Sequence, residues 1–419
     1  MWVNRFGAAF LCWHWLLVAV SLTPIASHGA EPSPHLGRAQ TLLATGHEDA
    51  ALVELEALLR SEPKNLFALG NAGLILGRRG QFSRAAEYLS RAHTLKPGDV
   101  QLGLALLEVS AKSGRKGDTE RVAADLRNSG KLSGEQALAA AQLLFRTGNA
   151  PAAAAMAAAG PANSVDRHDL LGSIYAEMGD VQKASDELQE AIRLAPADDQ
   201  RYFRLGMLYL KYRTPSLAVL VFGNGVERRP DSPMLWLGLG VSQCLDEKLG
   251  PAEISLRKSI QLNSHFSDAY LLLGDMLEQE RPQEAIKIFR RAMTEHPDLP
   301  VAFYYYGRLA LQLNEGSIED TISVLRKAVA MEPSFADSHY ELGRALEQAG
   351  KVDEAIPEFD KCLQLNPKMF RAQYRLAILY KKRGDAEKAN IALKAFQQAQ
   401  KSEDPDLEMK RLQYEIKQP

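Results

Sequence analysis

Apolar and small residues recur along this chain at spacings of three and four, and the whole arrangement repeats about every 34 residues. In the clearest repeats, a Leu-Gly pair or a close variant is followed by an apolar residue, a Gly, an Ala-x-x-x-Leu/Phe-x-x-Ala stretch and a closing Pro. The closing prolines lie 34 residues apart in three places: Pro63 to Pro97, Pro196 to Pro230 and Pro333 to Pro367. This period predicts a stack of small units with two amphipathic helices each, in place of one globular core.

The repeat at residues 165–198 shows what each position contributes. Leu171 and Tyr175 form an apolar stripe on a first helix. Gly172, next to Leu171, lets a second helix approach closely, where a larger side chain would hold it away. Gly179 is expected to end the first helix and turn the chain, and Pro196 ends the second helix. Gly80, Gly350 and Gly384 occupy the turn position of other repeats.

Several repeats carry this pattern at fixed positions. Clear examples run from Ala72-Gly73 to Pro97, from Leu171-Gly172 to Pro196 and from Leu342-Gly343 to Pro367. At these residues the chain resembles the tetratricopeptide repeat family. The resemblance implies an all-α, right-handed superhelical solenoid with a role in protein–protein interaction and assembly. In this register, about eleven helix-turn-helix repeats cover residues 32 to 403.

The quality of the repeats varies along the chain and divides it into predicted segments. Residues 32–99 form repeats 1 and 2, and residues 165–403 form repeats 5 to 11. Residues 100–164 lack the closing Pro and become rich in alanine, so they are predicted to form two degenerate repeats, with an irregular hinge as the alternative. Residues 404–419 mix apolar and charged side chains, which predicts a C-terminal capping helix.

The first 30 residues differ from the repeats. Arg5 is the only Lys, Arg, Asp or Glu in this segment, and an apolar run extends over residues 6–20. Pro24 and the small-residue stretch at 26–30 follow at the distance expected for a secretory signal peptide that is cleaved between Ser27 and Ala30. The alternative is a retained membrane anchor, because residues 6–22 approach the ~17–25 residues that a spanning helix needs.

Composition and cysteine usage indicate in which cellular compartment the protein is expected. A charged fraction of 24% and a net charge of -2 give no indication of nucleic-acid binding or of extensive disorder. Beyond the N-terminal segment, Cys244 and Cys362 lie more than three repeats apart, too far for a disulfide in a stack of nearest neighbours. An exported chain without disulfides is typical of a bacterial periplasm. We therefore predict a secreted or periplasmic protein, or a membrane-anchored one if the N-terminal segment is retained.

The sequence contains none of the common catalytic or metal-binding motifs. It has no G-x-x-x-x-G-K-[ST], H-E-x-x-H or C-x-x-C pattern and no EF-hand loop. His168 and His339 share one repeat position, which indicates packing in preference to metal binding. We therefore predict no enzymatic activity, no catalytic residues, no cofactor and no metal.

The first helices of such a stack line its concave surface, so their fifth and ninth positions are predicted to form a binding groove. At residues 200–275 these positions are mainly aliphatic or aromatic, which suits an amphipathic helix as ligand. At residues 304–378 Tyr and Arg predominate, and both are enriched at binding hot spots. The predicted groove residues are Phe203, Met207, Leu237, Val241, Leu271, Tyr304, Arg308, Tyr340, Arg344 and Tyr374.

The last repeat has a local excess of positive charge, which predicts a second binding surface. This basic patch comprises Arg371, Arg375, Lys381, Lys382 and Arg383. It would attract an acidic partner or an anionic lipid surface; the alternative is an ordinary solvated helix pair.

We expect an exported, non-catalytic scaffold or adaptor that binds one or more proteins or peptides, with no nucleic-acid partner. Membrane contact is expected only through a retained N-terminal segment. One alternative is an accessory subunit of a bacterial envelope complex for polysaccharide export, secretion or outer-membrane assembly. Another is the substrate-recognition partner of a separate enzyme.

Overall fold

The computed structural model describes residues 33–402, with side chains through residue 398. Within this range the regular elements are 22 α-helices, which follow one another as eleven pairs. In each pair, the odd-numbered helix is called the first helix and the even-numbered helix the second. The predicted all-α class and the stack of helix pairs are confirmed. The predicted signal segment and the predicted capping helix lie outside the described residues.

The chain divides into two compact units, an N-terminal unit (Met1–Val221) and a C-terminal unit (Phe222–Pro419). The helices of the N-terminal unit are α1 (Pro34–Ala44), α2 (Glu48–Ser61), α3 (Leu66–Arg78), α4 (Phe82–Leu95), α5 (Val100–Lys112), α6 (Lys116–Asn128), α7 (Gly134–Arg146), α8 (Ala150–Ala157), α9 (Val165–Met178), α10 (Val181–Leu194) and α11 (Asp199–Lys211). The division falls within α12 (Pro215–Arg228). The C-terminal unit continues with α13 (Pro233–Leu245), α14 (Leu249–Leu262), α15 (Ser267–Glu280), α16 (Pro282–Glu295), α17 (Pro300–Leu313), α18 (Ile318–Met331), α19 (Ala336–Gln348), α20 (Val352–Leu365), α21 (Phe370–Lys382) and α22 (Ala386–Ser402).

The N-terminal unit packs through small and aliphatic side chains. From α1 to α10, each first helix contacts its own second helix, and most second helices contact the first helix of the next pair. From α1 to α9, the buried apolar core consists of Ala, Leu, Val and Ile together with Met156. Residues 100–164, where the repeat pattern is poorest, form α5 to α8, and Ala153 and Ala157 of α8 are completely buried.

The glycines of the repeat act as the sequence pattern predicts. A Cβ on Gly172 would lie 2.6 Å from Leu188 Cγ, so the close approach of α9 and α10 requires the missing side chain. Gly179 has a φ of 80° and follows the last residue of α9. This left-handed conformation is strained for a residue with a Cβ, and it turns the chain into α10.

The core of the C-terminal unit contains many aromatic rings. Tyr270 and Tyr305 both pack on Phe289, and the rings of Phe289 and Tyr305 stack with centroids 4.7 Å apart. Tyr340 packs edge-on against Phe359, and both rings are fully buried. Aromatic pairs of this kind add to the stability that burial of their area provides.

Four pairs share a hydrogen bond between a ring and the linker that precedes the first helix. In each, a ring in the first turns of the helix donates to the carbonyl oxygen six residues earlier. The bonds are His168 Nε2 to Ala162 (2.9 Å), Tyr202 Oη to Pro196 (3.2 Å), Trp236 Nε1 to Pro230 (2.9 Å) and His339 Nε2 to Pro333 (3.1 Å). The two histidines are buried and also contact Glu187 and Glu358 of their second helices at 2.6 Å. Both histidines therefore serve packing between elements.

Within residues 33–402, none of the helices combines the length and the hydropathy that a membrane span requires. The same range contains no group of three or more His, Cys, Asp and Glu side chains placed to hold a metal ion.

Candidate partner-binding surface

Neighbouring first helices contact one another within each unit. In the N-terminal unit these contacts connect α3, α5, α7 and α9, and in the C-terminal unit they connect α13, α15, α17 and α19. Each unit therefore has a continuous surface made of first helices, here called its first-helix surface. This is where the sequence places the binding groove.

Four of the predicted groove residues are buried, so the prediction that they contact a partner is wrong. Tyr304 is 2% exposed, Tyr340 0%, Leu237 3% and Arg308 8%. Leu237 belongs to the apolar core of the C-terminal unit. The other three side chains are covered by groups from neighbouring repeats. A partner side chain has no access to them in this arrangement.

Arg308 of α17 is the centre of a buried network that connects three first helices. Its Nε and Nη2 bind the two carboxylate oxygens of Glu278 on α15, each at 2.7 Å, and its Nη1 donates to Tyr304 Oη at 2.7 Å. Glu341 of α19 lies 3.8 Å from Arg308 Nε and accepts from Arg344 at 2.8 Å. The two-pronged contact with Glu278 is the geometry that a guanidinium favours with a carboxylate. The network holds α15, α17 and α19 in register.

Burial determines the protonation of this network. It raises the pKa of the Glu278 carboxyl above its ordinary value, although Arg308 opposes the change and Glu341 adds to it. Burial also raises the pKa of Tyr304 far above the ordinary value, so its hydroxyl stays protonated. For Arg308, burial alone would lower the pKa, but Tyr304 and the two carboxylates raise it, and the guanidinium stays charged.

The predicted basic patch is divided by ion pairs. Arg371 is 1% exposed, so its assignment to an exposed patch is wrong. Its Nη2 binds Asp337 of α19 at 2.7 Å, and its guanidinium lies 4.3 Å from the centre of the Tyr340 ring. Arg375 is half-buried and lies 3.5 Å from Glu347 of α19. Both arginines therefore connect α21 to α19.

The remaining members of the basic patch are exposed at the end of α21. Arg383 lies 3.7 Å from Asp353 and 3.8 Å from Asp385. Lys381 and Lys382 are exposed and have no ion pair among the described residues. Among the five residues of the predicted patch, Lys381 and Lys382 are therefore the exposed cations that no described carboxylate pairs with. Their role as a binding patch stays a prediction.

Six predicted groove residues are half-buried, and their contact with a partner also stays a prediction. They are Phe203 and Met207 on α11, Val241 on α13, Leu271 on α15, Arg344 on α19 and Tyr374 on α21. Tyr374 packs against Phe396 of α22 with ring centroids 5.3 Å apart.

Val241 and Leu271 belong to an apolar part of the first-helix surface of the C-terminal unit. Cys244 of α13 and Met276 of α15, also half-buried, connect the two helices through a thiol-to-thioether contact of 3.5 Å. Burial raises the pKa of the Cys244 thiol, so it stays protonated and serves as an apolar side chain. The patch formed by Val241, Cys244, Leu271 and Met276 is here called the α13/α15 patch.

The sequence argument missed the carboxylates that cover the arginines. Glu278, Glu341 and Asp337 lie outside the fifth and ninth positions, and each pairs with an arginine of an adjacent first helix or of its own helix. A usable signal was present, since Glu278 precedes Arg308 by 30 residues and Asp337 precedes Arg371 by 34. Opposite charges separated by about one repeat indicate pairing between repeats.

The fold and the repeated contacts define a helix-turn-helix repeat protein. Models described as "Tetratricopeptide repeat" match residues 36–100, 166–198, 268–298, 336–369 and 371–400. The chain belongs to the tetratricopeptide repeat family.

Similar proteins include two large curated relatives and a solved structure. Protein CTR9 homolog of Arabidopsis thaliana is 26% identical over 316 residues, which cover 63% of this chain and 29% of the plant protein. Anaphase-promoting complex subunit 3 of Schizosaccharomyces pombe is 25% identical over 228 residues, which cover 53% of this chain and 33% of the yeast protein. The chain thus spans about a third of the length of these relatives. The crystal structure of yeast Tom70 matches 91% of this chain and 94% of its own, with 12% identity and a TM-score of 0.44.

Proposed function

We propose that this protein is a non-catalytic scaffold that binds a polypeptide segment on the first-helix surface of its C-terminal unit. The observation that carries the proposal is the α13/α15 patch, where Val241, Cys244, Leu271 and Met276 remain half-buried on two adjacent first helices. Membership in a repeat family used for protein interaction supports a polypeptide ligand.

The chemistry of the patch favours an apolar anchor from the partner. Met and Cys are adaptable apolar side chains that accommodate varied partners, and an amphipathic helix placed in a groove offers apolar side chains at spacings of three and four. On the next first helix, α17, Tyr304 and Arg308 are bound to each other and to Glu278 of this same chain. We therefore place the binding centre at α13 and α15 and not at the Tyr and Arg positions.

Photo-cross-linking tests this placement. p-Benzoylphenylalanine at Leu271 should form adducts with one polypeptide in cells that express the full chain, because the side chain lies in the patch. The same amino acid at Ile254, which is 68% exposed on second helix α14, serves as the matched control. Adducts with the same polypeptide from both positions, or from neither, would refute the first-helix site.

A binding variant separates contact from folding. Leu271→Gln should weaken binding of the cross-linked partner about tenfold or more, since one apolar anchor is worth roughly 1.5–3 kcal/mol. Ile254→Gln should leave binding unchanged. The helical circular dichroism of both variants should match that of the parent protein.

We also propose export, with the apolar run at residues 6–20 as a cleaved signal peptide. This would place the scaffold in a bacterial envelope, where service as an accessory subunit of a larger complex is the alternative role. Intact mass of the protein from its native compartment tests the proposal: a chain that begins between Ser27 and Glu31 supports cleavage. A chain that still carries residues 6–20 supports the anchor.

A further inference from the structure

A polar cleft of about 470 Å³ lies in the N-terminal unit, away from the first helices. Its lining comes from second helix α4 and from the residue that precedes α6: Arg84, Glu87, Tyr88, Ser90, Arg91 and Arg115. Three guanidiniums and one carboxylate thus line the same cleft. None of these residues belongs to a first helix, so the cleft is independent of the proposed binding centre at α13 and α15.

The charge of one guanidinium in the cleft is neutralised. Arg84 Nη2 binds Glu56 of α2 at 2.9 Å, and its Nη1 binds Gln81 at 2.9 Å. Tyr88 Oη donates to the same Glu56 oxygen at 3.3 Å. Arg84 and Tyr88 are therefore held in place by Glu56 and form a fixed wall.

The other two guanidiniums have weak or neutral partners. Arg91 Nη2 donates to the Pro63 carbonyl at 2.7 Å, and within residues 33–398 Arg91 has no carboxylate partner. Arg115 lies 3.4 Å from the Ser83 carbonyl and 3.6 Å from Glu87. Charge-assisted N–H···O bonds are normally ~2.7–2.9 Å long, so both contacts of Arg115 are loose. The Glu87 side chain is itself 68% exposed.

We propose that this cleft binds the carboxylate side chains of an acidic polypeptide segment. Planar guanidiniums bind carboxylates with two parallel hydrogen bonds, and Arg91 and Arg115 both retain donors for such bonds. The cleft also lies within the ~300–1,000 Å³ range of sites that hold a small ligand, which leaves room for more than one carboxylate. Glu87 acts as a weak internal competitor for Arg115.

Fluorescence anisotropy with the full chain and a labelled hexaglutamate peptide tests the proposal. Arg91→Gln and Arg115→Gln should each weaken binding about tenfold, because each removes a charged donor. Glu87→Gln should tighten binding several-fold, since it removes the competing carboxylate. Raising the salt concentration from about 0.05 to 0.5 M should weaken binding by the parent protein, as screening shortens the reach of exposed charges.

Arg121→Gln is the matched control, because Arg121 is exposed on α6 outside the lining and pairs with Asp118. It should bind as the parent protein does. Equal binding by all four variants, or no binding by the parent, would overturn the assignment of the cleft. Equally tight binding of a labelled hexaglutamine peptide would overturn the role of charge. Full displacement of hexaglutamate by an equal concentration of inorganic phosphate would assign the cleft to free anions instead of a polypeptide.

Discussion

The two units of this chain build the same helix pairs from different cores. From α1 to α9 the N-terminal unit buries Ala, Leu, Val and Ile with one Met, whereas the C-terminal unit buries the rings of Tyr270, Phe289, Tyr305 and Tyr340. Small aliphatic side chains allow helices to pack closely without a fixed ring orientation or a hydrogen-bond partner. Large rings need a defined orientation, and several of their hydroxyls need a hydrogen-bond partner.

The units also differ in the ion pairs that they bury between repeats, because the C-terminal unit buries the pairs of Arg308 and Arg371 beside its exposed ones. In the N-terminal unit, pairs such as Arg78 with Glu48 lie at 2.6 Å with about 40% of each side chain exposed. In the C-terminal unit, Arg308 and Glu278 pair with only 10% and 12% exposed. Asp169 and Arg201 are an equally buried exception in the N-terminal unit, with 12% of each side chain exposed. An exposed pair contributes little, whereas a buried pair makes each partner indispensable to the other.

The largest predicted difference in stability between the two units appears when one paired arginine is removed from each unit. Arg308→Met leaves Glu278 buried without its guanidinium and should lower stability of the C-terminal unit by about 3–5 kcal/mol. Arg78→Met removes an exposed pair and should cost at most about 1 kcal/mol. Urea unfolding, combined with hydrogen exchange of peptides from α15 and α17, measures both effects.

A double variant distinguishes the buried charge from lost packing. Glu278→Gln added to Arg308→Met should recover part of the loss, because the uncompensated carboxylate is gone. Equal effects of Arg308→Met and Arg78→Met would remove the contrast between the units.

An intermediate effect is expected from glycines at helix contacts. A Cβ on Gly274 would lie 2.5 Å from the Tyr305 ring. That ring is held by its hydroxyl, whose single proton is shared between Asp275 (2.7 Å) and the Leu271 carbonyl (2.8 Å). A Cβ on Gly73 would lie 2.5 Å from Leu89 Cγ, and the buried Leu89 side chain has no hydrogen bond that fixes it. Both alanine variants should lose about 1–3 kcal/mol by overpacking, with the larger loss at Gly274.

Two unobstructed glycines provide the controls for this experiment. A Cβ at Gly117 of α6 or at Gly250 of α14 meets nothing within 4 Å. Alanine at either position should stabilise its helix by up to about 1 kcal/mol in thermal melts. A larger loss at Gly73 than at Gly274 would show that the aromatic core is the more adaptable one.

The smallest predicted difference between the two units is in how their stability depends on pH. Burial raises the pKa of Glu278, so between the ordinary value of about 4.3 and the raised one the folded chain binds more protons than the unfolded chain. The contribution of Glu278 to stability therefore falls as pH rises through that window.

Asp99 in the N-terminal unit should behave in the opposite way. Burial alone would raise its pKa, but Lys96 and the N–H groups of Leu102 and Gln101 hold it below the ordinary value of about 3.9. Its contribution is lost as pH falls below that value. Urea unfolding of Glu278→Gln and Asp99→Asn from pH 3 to 7 should show slopes that differ from the parent protein in opposite directions. Slopes that change in the same direction would contradict these assignments.

The sequence predicted those parts of the fold that depend on local chemistry. The Gly172 contact and the Gly179 turn follow from the absence of a Cβ, and both are recognisable within one repeat. The burial of Tyr304 and Arg308 depends instead on Glu278 and Glu341, which belong to other repeats. A position within the repeat indicates which face a side chain occupies, but not what covers that face. For this reason the sequence predicted the helices well but did not reveal that Leu237, Tyr304, Arg308 and Tyr340 are buried.

The hydrogen bonds between rings and linker carbonyls determine how the array would respond to force. In the pairs that contain His168, Tyr202, Trp236 and His339, the linker is fastened to a ring within the first helix. Tension on the linker is therefore shared between the backbone and a side-chain bond at the fourth residue of the helix. Because indole, phenol and imidazole all make this bond, the fastening depends on a planar donor and not on one residue type. Repeats held in this way should yield one pair at a time when the chain is pulled from its ends.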